Sequence, residues 1–386
     1  MKIFIVDISG KVIKYDIALC EAIDSSIQND IEIEFYCPLY DEVPRCKTTK
    51  LFNLVPKKYK NGEYLWKRFF KLFELIFNYI FLICKVALKK PDIVHFQWFP
   101  LMEVCSVEHC VVKIMKLLSN QTQIVLTIHN VYPHTFIDKK KMAYAKRFLR
   151  FKPLINEYIV HTEETKAEVI RDFRIDEEKI KVVHHGIFSP RNFTPTKNVI
   201  DEQNVTFIMY GNLSEYKGVD IFVEAIKELP EQYKKKIHGV IAGEMQNKEL
   251  CKKLQSESKD LNIDWYPYFL SDKELYERID KANVIVLPYK SISQSGVLLL
   301  ALFFRRYIIT SDLTSFKETL HGFSDDMFFK SENPTSLAQL IIKYVDGKID
   351  FERQMKVINN LNEKYSWVET AKNTIKAYKT VKNGSC

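Results

Sequence analysis

The chain lacks a cysteine pattern. Of its eight cysteines, Cys105 and Cys110 flank His109 at a spacing that fits neither a zinc knuckle nor a redox pair, and Cys20, Cys37, Cys46, Cys84, Cys251 and Cys386 are scattered. They read as small core residues or free surface thiols. A secretory leader is also missing: Met1-Lys2-Ile3-Phe4-Ile5 reads as a first strand, so the chain is expected to stay in the reducing cytoplasm. No internal repeat or low-complexity tract stands out. Nor is there a clean bilayer span, because Lys71, Glu74 and Asn78 interrupt the apolar stretch 69–84 every three or four residues. No Ser-His-Asp arrangement and no His/carboxylate metal set can be assembled, so neither a metal nor another cofactor is expected. The net charge of +8 invites nucleic acid as a partner. Yet the basic residues form no stripe interleaved with a recognised binding motif. The clusters 139–141 and 146–147 read as solvated helix faces, and no nucleic-acid partner is expected.

What is present is a two-part α/β pattern. At 386 residues and 46% hydrophobic content, the chain is too long for one ordinary core. Short β-branched runs at 3–6, 31–36, 93–96, 124–128, 158–160 and 181–183 alternate with longer helical stretches, as in a parallel sheet, and a second series starts at Val205. Between them, 188–198 carries two prolines and polar residues without a period, the composition of a linker. The expected domains are 1–190 and 191–365, with a terminal segment 366–386 in which Trp367, Ala371, Ile375 and Tyr378 share a helix face and Ser366 with Glu369 forms a capping box.

The chemistry concentrates where the apolar strand Phe207-Ile-Met-Tyr210 breaks at Gly211 and a helix follows Tyr216-Lys217-Gly218. Gly211 permits a tight turn, Gly218 lets a ligand approach the main chain, and Lys217 can neutralise one charge of a diphosphate near the free N–H groups of the next helix. Alone, this loop is equally an ordinary βα turn with a solvated lysine. A second anion-binding turn strengthens the first. The strand 284–287 ends in Pro288-Tyr289, and Gln294-Ser295-Gly296 opens the apolar helix 297–304. Doubly wound sheets bind ligands outside the carboxyl ends of their strands, where both turns fall.

Together with Thr127-Ile-His-Asn130, Pro133-His134, Val160-His-Thr-Glu163 and His184-His-Gly-Ile187, these blocks resemble, in order, bacterial glycosyltransferases of the GT-B fold, family 4. The resemblance covers most of the chain. It implies two Rossmann-like, doubly wound domains facing a central cleft, the last helix crossing back to the first. It also implies transfer, generally with retention, of a sugar from a nucleoside-diphosphate donor to a saccharide or lipid-linked acceptor, without a metal. By the same resemblance Lys217 binds the diphosphate and His129 lies beside the donor sugar, these two being the catalytic candidates. Gly211, Asn212, Gly218, Glu244, Tyr289, Gln294, Ser295, Gly296 and Val297 complete the donor side, and Ser9, Gly10 and His134 stand on the acceptor side, which the segment 139–150 is placed to line.

Two departures qualify the match. The family's pair of glutamates falls on Ser293 and Ala301, and its Gly-Arg-Leu pattern reads Gly211-Asn212-Leu213. Glu244 and Glu318 are candidate substitutes, each more often a plain surface carboxylate. Two functions of different class therefore stand: a hexosyltransferase-type enzyme building a surface polysaccharide (capsule or exopolysaccharide) or glycoconjugate, and a non-catalytic protein of the same fold that binds or stabilises another transferase. The stretch 54–90 likewise has two readings, a long core helix of the first domain or an interfacial helix whose aromatic face meets an anionic membrane, which would place the protein at the inner face of the cell membrane.

Overall fold

A computed structural model describes residues 1–26, 30–38, 45–53, 65–132, 138–188, 190, 193–196, 204–292 and 295–383. They form two units, 1–186 with 366–386, and 187–365.

The first unit is built on seven parallel strands, β1 (Lys2–Val6), β2 (Glu32–Cys37), β3 (Thr48–Lys50), β4 (Ile93–Phe96), β5 (Gln123–Thr127), β6 (Glu157–Val160) and β7 (Ile180–Val182). Their order is β3-β2-β1-β4-β5-β6-β7. The central strand Ile3-Phe4-Ile5-Val6 is buried on both faces, which is why it reads as an unbroken apolar run rather than an alternating one. Phe4 and Val6 face a layer shared with α2 (Leu65–Lys89), α3 (Val107–Leu118), α4 (Asp138–Phe151) and α5 (Glu163–Phe173); Ile3 and Ile5 face α1 (Ile13–Ser25).

The second unit repeats the plan with β8 (Val205–Tyr210), β9 (Ile237–Ala242), β10 (Ile263–Tyr266), β11 (Val284–Leu287), β12 (Tyr307–Ser311) and β13 (Phe328–Phe329), ordered β10-β9-β8-β11-β12-β13 and again parallel. Its helices are α6 (Val219–Glu228), α7 (Glu231–Lys234), α8 (Lys248–Glu257), α9 (Asp272–Lys281), α10 (Gly296–Phe304), α11 (Thr314–Thr319), α12 (Pro334–Val345) and α13 (Phe351–Lys364). Each unit is Rossmann-like, with strand order reversing beside its first strand. Strands β3, β10 and β13 are not among the runs singled out in the sequence. They lie at or near sheet edges and are short or half exposed, so burial leaves little pattern in them.

The last helix, α14 (Trp367–Asn383), packs in the first unit against α1. Ala371, Ile375 and Tyr378 join the layer under Ile3 and Ile5. Gly186 makes room for it: a Cβ there would fall 2.4 Å from Trp367 Cδ2, and Thr370 Oγ1 donates to the His184 carbonyl at 3.0 Å. The hydroxyl of Ser366 accepts the Glu369 N–H at 3.3 Å, one half of the capping box.

Helix α2 turns its polar interruptions inward. Glu74 and Asn78 are fully buried beside Leu75, Tyr79, Leu82 and Val86. Asn78 Oδ1 accepts from the Phe52 N–H at 2.9 Å while its Nδ2 donates to the Phe52 carbonyl at 3.0 Å, and Glu74 pairs with Lys71. A buried polar group with its bonds made is tolerated in a core. The helix is therefore a core helix on one face only. Among the described residues no helix is long and apolar enough to cross a membrane.

Candidate functional site

In the second unit, the loops after β8 and β11 meet where strand order reverses. Gly218, the N-cap of α6, has φ +71°, and a Cβ on it would lie 1.9 Å from the Pro288 carbonyl oxygen. Only glycine admits that approach. The Lys290 N–H donates to the Tyr216 carbonyl at 2.7 Å, and the Lys290 ammonium pairs with Asp220 at 2.8 Å, joining the two loops. Leu213 N donates to the Glu244 carbonyl at 2.9 Å, which holds the loop after β9 alongside.

Lys217 is buried within this frame, with 5% exposure. It is not the solvated lysine of an ordinary turn. Its Nζ donates to the Tyr289 hydroxyl at 2.6 Å and lies 4.3 Å from the Tyr289 ring centroid. Desolvation lowers its pKa to about 8. Tyr289 is itself fully buried, and burial drives its phenol far above the usual range. Ser311 Oγ donates to the Tyr289 carbonyl at 2.7 Å, and Ser295 lies close enough to the Tyr289 phenol to influence it. Lys217, Tyr289 and Ser295 thus form one chain of contacts.

That chain ends on a helix N-terminus. Ser295 is the N-cap of α10 and accepts the Leu298 N–H at 3.1 Å. Gly296 is exposed, while Tyr210 Oη donates to the Val297 carbonyl at 2.9 Å and a Cβ on Gly211 would meet Val297 Cγ2 at 3.1 Å. A cation and a helix N-terminus therefore adjoin, a combination that suits an anion carrying more than one charge.

In the first unit, the strand ends gather four buried histidines. His161 Nδ1 lies 2.9 Å from the Val183 carbonyl and donates to it, and its Nε2 lies 3.2 Å from His129 Nδ1. His129 Nε2 lies 3.4 Å from Gln97 Oε1. His95 bonds Tyr378 Oη at 2.6 Å and Thr127 Oγ1 at 2.7 Å. Tyr15 packs 4.8 Å from both His129 and His185. Burial, reinforced by neighbouring histidines, pushes His129 well below its ordinary range, His161 to about 4 and His95 and His185 to about 3. All four are neutral imidazoles at pH 7.

The remaining candidates divide. Ser9 and Gly10 lie in the turn after β1, with both N–H groups donating to Asp7 Oδ1 at 3.0 and 2.8 Å, so their main chain is engaged inside the turn. Asn212 and Glu244 are exposed near Lys217. Ala301 is fully buried in the apolar layer with Leu298 and Leu302, which leaves no room for a carboxylate. Glu318 stands beside Tyr365. His134, Gln294 and Ser293 lie outside the described residues. Among the described residues no three His, Cys, Asp or Glu side chains converge as a metal-ligand set. Sequence reasoning missed Gln97, Tyr15 and the coupling of His161 to His129; the clustering of histidines at strand ends was the available signal.

Comparison with known families agrees with this layout. The model for glycosyl transferases group 1 matches residues 190–364, and that for glycosyltransferase family 4 matches 19–188. The chain belongs to the group 1, family 4 glycosyltransferases. Within that family it is 23% identical over 240 residues to an uncharacterized glycosyltransferase of Methanocaldococcus jannaschii, a match spanning 58% of this chain and 60% of that protein. It is 21% identical over 276 residues to a GDP-mannose:glycolipid 4-beta-D-mannosyltransferase of Xanthomonas campestris, covering 68% of this chain and 73% of that one. The crystal structure of Anabaena HepE in complex with UDP-glucose superposes with a TM-score of 0.65 at 12% identity, over 98% of this chain and 100% of that one. That solved structure shares the GT-B fold with this family member.

Proposed function

We propose that the protein transfers a hexose from a nucleoside-diphosphate sugar to a saccharide or lipid-linked acceptor, with retention and without a metal ion. The observation that carries the reading is the buried Lys217, joined through Tyr289 to the N-cap of α10. When the bond from the anomeric carbon to the β-phosphate breaks, negative charge gathers on the departing diphosphate. Lys217 and the α10 N-terminus supply a full and a partial positive charge for it, held by packing before the reaction begins. In the first unit, His129, a neutral imidazole at pH 7, can exchange a hydrogen bond with a sugar hydroxyl.

Relatives that use GDP-mannose or bind UDP-glucose narrow the donors to test first, and the glycolipid acceptor of one supports a lipid-linked acceptor here. Cytoplasmic synthesis of a surface glycan such as a capsule or exopolysaccharide is the role that fits this chemistry. The second reading, a non-catalytic partner of another transferase, is favoured by Ala301, since the position of the family's second glutamate is filled by core packing.

The test is nucleotide release from UDP- and GDP-sugars by the purified protein, with and without a lipid extract as acceptor. Acceptor-dependent release from one donor, lost in Lys217→Ala, is expected. No release from any donor by the folded protein would favour the non-catalytic partner.

A further inference from the structure

We infer that Asp16 is a positioning residue, which holds the turn 7–12 through a proton that it shares with Asp7. Asp7 stands just past β1 and Asp16 in the first turn of α1, and both carboxyl groups are fully buried. Asp7 is ringed by donors. Its Oδ1 accepts from the Ser9 and Gly10 N–H groups at 3.0 and 2.8 Å and from Ser9 Oγ at 3.1 Å, and its Oδ2 accepts from the Val12 N–H at 3.2 Å. The Val12 carbonyl in turn accepts the Asp16 N–H at 3.1 Å, which brings the second acid back to the first. Asp16 has no such ring: among the described residues no donor reaches either of its oxygens, and its carboxyl group lies beside that of Asp7. Two carboxylates have no proton to exchange and repel each other in a dry site. One of the pair therefore brings the proton, and the four donors around Asp7 make Asp16 that one.

The surroundings keep the proton in place. Facing Asp16 are Asp7 from β1, Tyr15 and Cys20 from its own helix, Cys37 from β2 and Tyr378 from α14, none of them a cation. Burial pushes both phenols and both thiols up, so these four are neutral at pH 7. Burial, with the charge of Asp7 next to it, drives Asp16 well above the ordinary carboxylate range. The four neutral side chains belong to the apolar layer of Ile3 and Ile5, which has nothing to offer a second negative charge. What the proton holds is the turn that carries Ser9 and Gly10. Lys11 of the same turn sets its ammonium 3.7 Å from the Trp98 ring and 3.1 Å from Glu103, and Tyr15, beside Asp16 on α1, packs 4.8 Å from His129. Calling this turn the acceptor side rests on the proposed sugar transfer. The proton does not, because it is read without donor or acceptor.

The test is carbon-13 NMR of the full chain labelled at the aspartate carboxyl carbons, together with hydrogen exchange of the Ser9, Gly10 and Val12 amides. One aspartate that stays protonated at pH 7, and whose signal is absent from Asp16→Asn, is expected. Asp16→Asn puts an amide N–H where the acid has its proton, so the three amides should keep their protection; in Asp16→Ala they should lose about tenfold. As pH rises, protection in the native chain should fall in step with the titration of that one carboxyl, and in Asp16→Asn it should stay level. The native titration decides even if Asp16→Ala does not fold. A merely structural side chain would show neither rescue by asparagine nor a turn that follows pH. Aspartates all ionised at pH 7, or equal protection in Asp16→Asn and Asp16→Ala, would overturn the inference.

Discussion

The ammonium of Lys217 donates to the hydroxyl of Tyr289 at 2.6 Å across 72 positions of sequence. Burial gives this lysine a pKa of about 8, so it is charged at neutral pH but titrates within reach of experiment. If the protonated form binds diphosphate, affinity for UDP or GDP holds below about pH 8 and falls about tenfold per pH unit above it. Lys217→Arg, whose guanidinium does not titrate there, is expected to bind with a flat profile over the same range. Calorimetric titration across that range checks both.

Tyr289→Phe keeps the ring beside Lys217 and removes the hydroxyl that its ammonium and Ser295 share. Hydrogen bonds to charged groups contribute about 1.5–3 kcal/mol, so nucleoside-diphosphate affinity should drop about tenfold. A purely structural tyrosine would lower the melting temperature and leave that affinity alone.

Gly218→Ala adds a Cβ 1.9 Å from the Pro288 carbonyl oxygen at φ +71°. Backbone strain and the clash together should cost about 2–4 kcal/mol and displace the loop carrying Lys217. Urea denaturation and nucleotide titration should both register the change. An alanine variant with unaltered stability would mean that the two loops are not in this contact.

Glu108 keeps its proton up toward neutral pH. Burial raises its pKa from the ordinary 4.5 to about 7, its Oε1 accepts from Tyr79 and from the Leu101 N–H at 2.8 Å, and Oε2 has no partner. The folded state keeps this proton where the unfolded chain has lost it, so this group's contribution to stability declines as pH rises from about 4.5 to about 7. Glu108→Gln retains the acceptor and removes the titration. Relative to the native chain, it should gain up to about 3 kcal/mol between pH 5 and pH 8, measured by urea unfolding at each pH. An unchanged difference would show that Glu108 is ionised in the fold.

The fold was legible because parallel strands buried on both faces leave unbroken apolar runs such as Ile3–Val6 and Val284–Leu287, and burial is what sequence patterns report best. Edge strands do not report it: β13 is two residues long, and Thr48-Thr-Lys50 has no fully buried position. The glycines and lysine of the β8–α6 turn could be located from their types alone. Their arrangement could not, since the partner of Lys217 comes from another strand and the acceptance of Glu74 and Asn78 into the core depends on Lys71 and the Phe52 backbone. The inward turn of Glu74 and Asn78 follows from those local bonds, which periodicity cannot represent.

The most direct test is calorimetric titration of UDP and GDP into the native protein and Lys217→Ala at pH 7. Loss of a buried charge–phosphate contact should cost about 2–4 kcal/mol, weakening binding by roughly 30- to 1000-fold while the fold persists. Equal affinity in the two proteins would remove Lys217 from the site and contradict the account.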